Sequence, residues 1–249
     1  MPAHVAAWID GYQREIASVV EAGIAPSPQV QAMWENPFHG KMGNYVEPLL
    51  TTRWSQYPYY NTRCPYDTVD SAYCLTGCVA TAMAQIINYN KWPQEETASV
   101  PAYVTYTRQF YLPELPPVKF DWDNMNSESI ARLMLYCGQS VEMDYSDEFG
   151  FSGANTGLVP KALMKVFGYS TLTKFVDASS YSKQEWENLI YGELADSRPV
   201  LYGGYGGEGG HAFVVDGYQD GRFHVNWGWG GSADGFFLLE LLGPDDNTT

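Results

Sequence analysis

Residues 76–93 read TGCVATAMAQIINYNKWP, and this stretch decides the architecture. Val79, Met83, Ile86 and Ile87 recur at helical spacing, so a helix is predicted from Cys78 to Asn90, with Pro93 just beyond its end. Cys78 therefore stands in the first helical turn, where unpaired backbone N–H groups and the helix dipole favour a thiolate. The buried stripe begins at Val79, which leaves Cys78 able to face a cleft. The competing reading is an ordinary buried cysteine at a helix start.

Downstream, a helix after Asn126-Ser127 presents Ile130, Leu133, Met134, Cys137 and Val141 on one stripe, so Cys137 reads as a small buried hydrophobe. A further helix is predicted near 158–167. Another opens with the capping box Ser182 and Glu185, ahead of Trp186, Leu189, Ile190 and Leu194. From Pro199 the pattern changes to short β-branched and aromatic runs, PVLYGGY, HAFVVDGY, RFHVNW and GFFLLEL. Gly217 and Asp220-Gly221 read as turns between them. Helices first and an antiparallel sheet afterwards make the chain α+β.

Upstream, residues 5–22 predict an amphipathic helix ended by Gly23, and Ala25 to Tyr45 has the Pro/Gly-rich composition of a linker. The chain thus divides into a helix and linker, 1–45, and a body, 46–249. HVAAWIDGYQREI is broken by Asp10 and is not an export signal, so either the protein is cytosolic or a leader was removed before this sequence begins.

The formal charge of −15 argues against nucleic-acid partners or adhesion to an anionic membrane, which need positive surface. No apolar run approaches the ~20 residues of a membrane span. Hydrophobic residues at 45% against 17% charged exclude a disordered chain. The four cysteines, 64, 74, 78 and 137, lack CxxC pairing, which argues against zinc; no metal or other cofactor is expected. Cys64 and Cys74 could bridge across a loop in a secreted protein.

A thiolate nucleophile needs a base. His4 and His39 fall in the appendage and linker, and His224 sits in the strand-like run Phe223 to Trp227. His211 follows the glycine-rich GGYGGEGG and opens a strand, so its loop can pass close to another element. Asn226 lies one hairpin beyond, where its carbonyl could accept from the imidazole and fix the tautomer, with Trp227 shielding that bond from water. The competing readings are a flexible hairpin and core tryptophans in a turn. The order Cys, His, Asn is that of the Cys-His-Asn variant of the catalytic triad.

The stretches PLLTTRWSQYPYYN, TGCVATAMAQIINYNKWP, GHAFVVDGY and FHVNWGWGGSADGFF resemble the streptopain family of secreted bacterial cysteine peptidases, which includes interpain-type enzymes. The resemblance implies a papain-like two-lobed fold, a helical half carrying Cys78 and an antiparallel sheet half carrying His211 and Asn226. It implies Cys78 as nucleophile, His211 as base and acid, Asn226 as orienter, and Gln56 as a donor to the oxyanion. Ser152, Gly153 and Ala154 would line the substrate cleft. It also implies protein or peptide substrates, a secreted or cell-surface location, and a propeptide to which helix 5–22 belongs, making this chain a zymogen-like precursor. Two readings compete with a cysteine endopeptidase: a non-catalytic protein- or carbohydrate-binding module, and an amidase or transglutaminase using the same residues.

Overall fold

The structure is a computed structural model that describes residues 45–239 apart from 147–149 and 207–208, together with Gly43 and scattered positions among the first 25. Most of the predicted helix 5–22 and of the linker lies outside the described residues. The described positions Gln13, Arg14, Ala17, Ser18 and Glu21 are helical, and Gly23 follows them with a φ of 61°.

The first helix of the body, α1 (Cys78–Asn90), runs through the centre of the molecule. Every residue from Val79 to Ile87 is buried, so the predicted one-sided stripe understates it. One side packs on α2 (Ser127–Ser140) and the other on the sheet. The small residues Ala80, Ala82 and Ala84 let both neighbours come close. Asn126 caps α2 by accepting from the Ser129 amide at 3.0 Å, and Cys137 is fully buried as predicted. A short α3 (Val159–Lys165) follows a 3₁₀ turn, and α4 (Lys183–Ala195) opens with the reciprocal Ser182–Glu185 capping box.

Five strands form one antiparallel sheet: β1 (Tyr45–Val46), β6 (Val200–Gly206), β7 (Gly209–Gln219), β8 (Arg222–Asn226) and β9 (Gly235–Phe237). Two small hairpins, β2 (Tyr66–Asp67) with β3 (Ala72–Tyr73) and β4 (Tyr103–Val104) with β5 (Tyr111–Leu112), flank the helical half. β7 is the axis of the sheet, pairing β6 through His211↔Gly204 and β8 through Val214↔Asn226; β1 continues the edge that β6 leaves. Asp220-Gly221, with φ of 49° and 82°, makes the predicted turn. Gly217 is not a turn. It lies inside β7 just after a bulge at Asp216, where a Cβ would come within 3.1 Å of the Pro48 backbone.

Two cores result. One gathers α1, α2 and α3 around Met83, Leu133, Met134 and Phe167; the other packs α4 on the sheet through Leu194, Phe213, Val225 and Trp227. A seam of Leu50, Ala82, Ile86 and Val214 joins them where α1 crosses β7. Among the described residues no helix is long and apolar enough to cross a membrane.

Candidate active site

Gly77 delivers Cys78 to the cleft. Its φ of 84° is open to glycine, and a Cβ there would lie 2.5 Å from Met143 Sδ and 3.1 Å from the Ser152 carbonyl oxygen. The chain before α1 is therefore pressed against the segment holding Ser152. Thr81, one turn into the helix, donates from its amide and its hydroxyl to the Gly77 carbonyl, at 3.1 and 3.0 Å, and holds this turn in place.

The Cys78 thiol is half-buried and faces β7 beside His211, where the Ala212 amide reaches the sulfur. Burial pushes the thiol above its ordinary range; the amides of Ala212, Val79 and Cys78 pull the other way without overcoming it. The remaining cysteines are buried free thiols. Burial raises Cys74 to about 11, with the Asp67 charge adding to it, and burial alone raises Cys137. The bridge considered for Cys64 and Cys74 is absent.

His211 projects among aromatic rings. Trp229 stacks at 4.7 Å between centroids, and Trp227 and Phe213 lie at 6.0 Å. Its Nε2 stands 3.0 Å from the Trp227 carbonyl oxygen. A carbonyl only accepts, so Nε2 carries the hydrogen and, in the neutral ring, Nδ1 is the acceptor nitrogen.

The Asn226 side chain has partners of its own. Asn226 Oδ1 accepts from Gln85 Nε2 at 3.0 Å and from the Gly228 amide at 3.1 Å, and its Nδ2 donates to the Thr52 carbonyl at 2.9 Å. Asn226 sits opposite Val214, on the stretch of β7 that packs on α1, so its amide reaches the helix. One residue later, the Trp227 backbone carbonyl meets the ring. Trp229 stacks closer to the ring than Trp227 does.

The Gln56 carbonyl accepts from the Thr76 amide at 3.3 Å, which ties the WSQ segment to the turn before Cys78. Ser152 is buried and its hydroxyl accepts from the Ser146 amide at 3.3 Å, so it serves the loop's own structure. Gly153 is exposed with open space where a Cβ would be, and exchanges two backbone bonds with Asp144; Ala154 packs on the helical core. Sequence reasoning missed Gln85 and Trp229. Gln85 lies two turns along α1 from Cys78, and a polar residue inside an apolar helix was its available signal. Among the described residues no cluster of side chains could hold a metal ion.

The Peptidase C10 family pattern matches residues 54–237. The chain is 39% identical to streptopain of Streptococcus pyogenes over 189 residues, 68% of this chain and 46% of that one. It is 33% identical to the thiol protease/hemagglutinin PrtT of Porphyromonas gingivalis over 267 residues, 98% of this chain and 30% of that one. It thus spans less than half the length of these curated relatives. The active wild-type interpain A cysteine protease of Prevotella intermedia superposes with a TM-score of 0.72 at 32% identity, over 80% of this chain and 88% of that one. A prointerpain A fragment from the same organism reaches 0.76 at 30% identity, over 97% and 78%. The fold is papain-like and α+β. With the family pattern spanning both the Cys78 helix and the His211 sheet, the chain belongs to the Peptidase C10 family.

Proposed function

We propose that the chain is a cysteine endopeptidase. The observation that carries this is the meeting of Cys78, at the start of α1, with the His211 end of β7, where Trp227 holds the imidazole in one tautomer. Substrate binding brings a peptide carbonyl to the sulfur. The Cys78 proton passes to His211 Nδ1 as the Sγ–C bond forms, and the carbonyl electrons move to oxygen. The Cys78 backbone N–H, unpaired within the helix, and the Gln56 amide donate to that oxyanion. The imidazolium returns its proton to the leaving amine as the C–N bond breaks. Water then attacks the thioester, His211 takes its proton, and the sulfur leaves.

The open Gly153 and its neighbours Ser152 and Ala154 suit a wall along which an extended peptide lies, because Gly153 adds no side chain to obstruct it. Synthesis as a zymogen, with residues 1–45 forming part of a propeptide, is supported by the prointerpain A fragment, which covers 97% of this chain against 80% for the active enzyme, and a secreted or cell-surface location is proposed with it. The direct experiment treats the protein with a thiol-directed peptidyl epoxide, maps the modified residue by mass spectrometry, and assays casein cleavage by wild type and Cys78→Ala. Modification confined to Cys78, with cleavage lost in the variant, is the expected result. Labelling elsewhere or cleavage by Cys78→Ala overturns the reading.

A further inference from the structure

The turn after β8 folds back on the residue that holds the histidine. Gly228, Gly230 and Gly231 have φ of 73°, 70° and 85°, and Ala233 stands at 64°, a conformation that costs a non-glycine residue about 1–2 kcal/mol. Trp54 O accepts from the Gly230 amide at 3.1 Å, and the Arg53 stem covers Gly231. The result of this strained path is that two successive residues reach Trp227. Ala233 O accepts from its indole Nε1 at 3.0 Å, and Asp234 Oδ1 accepts from its backbone amide at 3.0 Å. The Trp227 carbonyl, in turn, is the acceptor for His211.

We infer that Asp234 is a positioning residue for the reaction, its carboxylate setting through Trp227 where the His211 imidazole stands. The inference rests on the endopeptidase reading. A shift of Trp227 by a fraction of an ångström moves its carbonyl and swings Nδ1 off the line to the Cys78 sulfur, and misplacement by about 1 Å can cost about a hundredfold in rate. Asp234 is also titratable. Around it stand the Trp227 amide, His224 from β8, Asp216 from β7 and Arg53 from the segment after β1. Burial raises it above the ordinary carboxylate range, Asp216 adding to this, while the Trp227 amide, His224 and Arg53 oppose. The charged carboxylate holds the Trp227 amide more strongly than the neutral acid does.

The test compares wild type with Asp234→Asn, an isostere of the protonated acid, and with Asp234→Ala. kcat and KM are measured on one peptide between about pH 4.5 and pH 8. Each variant is expressed as a ratio to wild type at the same pH. At pH 7.5 the Asn variant should lose about fivefold to tenfold in kcat, with KM within about twofold. The deficit should close toward acid pH, as wild-type Asp234 itself becomes neutral. The Ala variant should lose more and remain low at every pH. A merely structural loop contact predicts a pH-independent ratio, and that result, or a change confined to KM, overturns the inference. So does an Asn variant as active as wild type throughout. Loss of cleavage in Cys78→Ala checks the underlying reading separately.

Discussion

Asn226→Ala separates two roles that one residue could play. Asn226 is 3% exposed, and its amide makes three hydrogen bonds, to Gln85 Nε2, the Gly228 amide and the Thr52 carbonyl. Truncation orphans all three partners in a buried seam. Each orphaned buried polar group costs about 1–3 kcal/mol, and water entering the space left behind recovers part, so the loss should be about 3–5 kcal/mol. In a body of this size about 1 kcal/mol corresponds to about 2–4 °C, which puts the fall in Tm at about 6–20 °C. Catalysis should suffer less, about tenfold or below, because the bond to His211 comes from the Trp227 backbone. Thermal unfolding by circular dichroism gives the first number. Turnover well below Tm, normalised to sites titrated with a peptidyl epoxide, gives the second. A variant with unchanged Tm that has lost about a thousandfold in kcat would refute this reasoning and return Asn226 to the orienting role.

Cys78→Ala and His211→Ala should each abolish cleavage, and His211→Ala should also slow iodoacetamide at Cys78 near pH 6. Removing the base leaves burial in command, so the alkylation profile should shift toward higher pH; an unchanged profile speaks against proton exchange between the two. His224→Ala should spare catalysis but lower stability by about 3 kcal/mol, since His224 Nδ1 lies 2.6 Å from the buried Asp216, whose Oδ2 accepts from the Leu50 amide. Loss of activity in a folded His224→Ala protein would show that the wrong histidine was assigned. Limited cleavage by active enzyme should fall between Pro37 and Tyr45, because Tyr45 and Val46 already belong to the sheet. N-terminal sequencing of the product checks this, and Cys78→Ala incubated alone shows whether the cut depends on this active site.

Local chemistry in the sequence determined the pieces. Helical spacing over 79–87 set α1, Ser182 with Glu185 set the start of α4, and Asp220-Gly221 set the β7–β8 turn, because each rests on neighbours a few residues apart. Cys78 and His211 were legible for the same reason: one opens a helix, the other opens a strand after a glycine run. Tertiary structure alone decided what those pieces do to one another. That α1 is buried on every side depends on a sheet folded more than a hundred residues later. Asn226 and Trp227 are adjacent in sequence, so pattern could not say which of them meets the imidazole. The register Val214↔Asn226 brings the Asn226 amide to Gln85, and the Trp227 carbonyl meets His211. Alternate residues of a strand face opposite ways, and pairing with a distant partner settles which way is which.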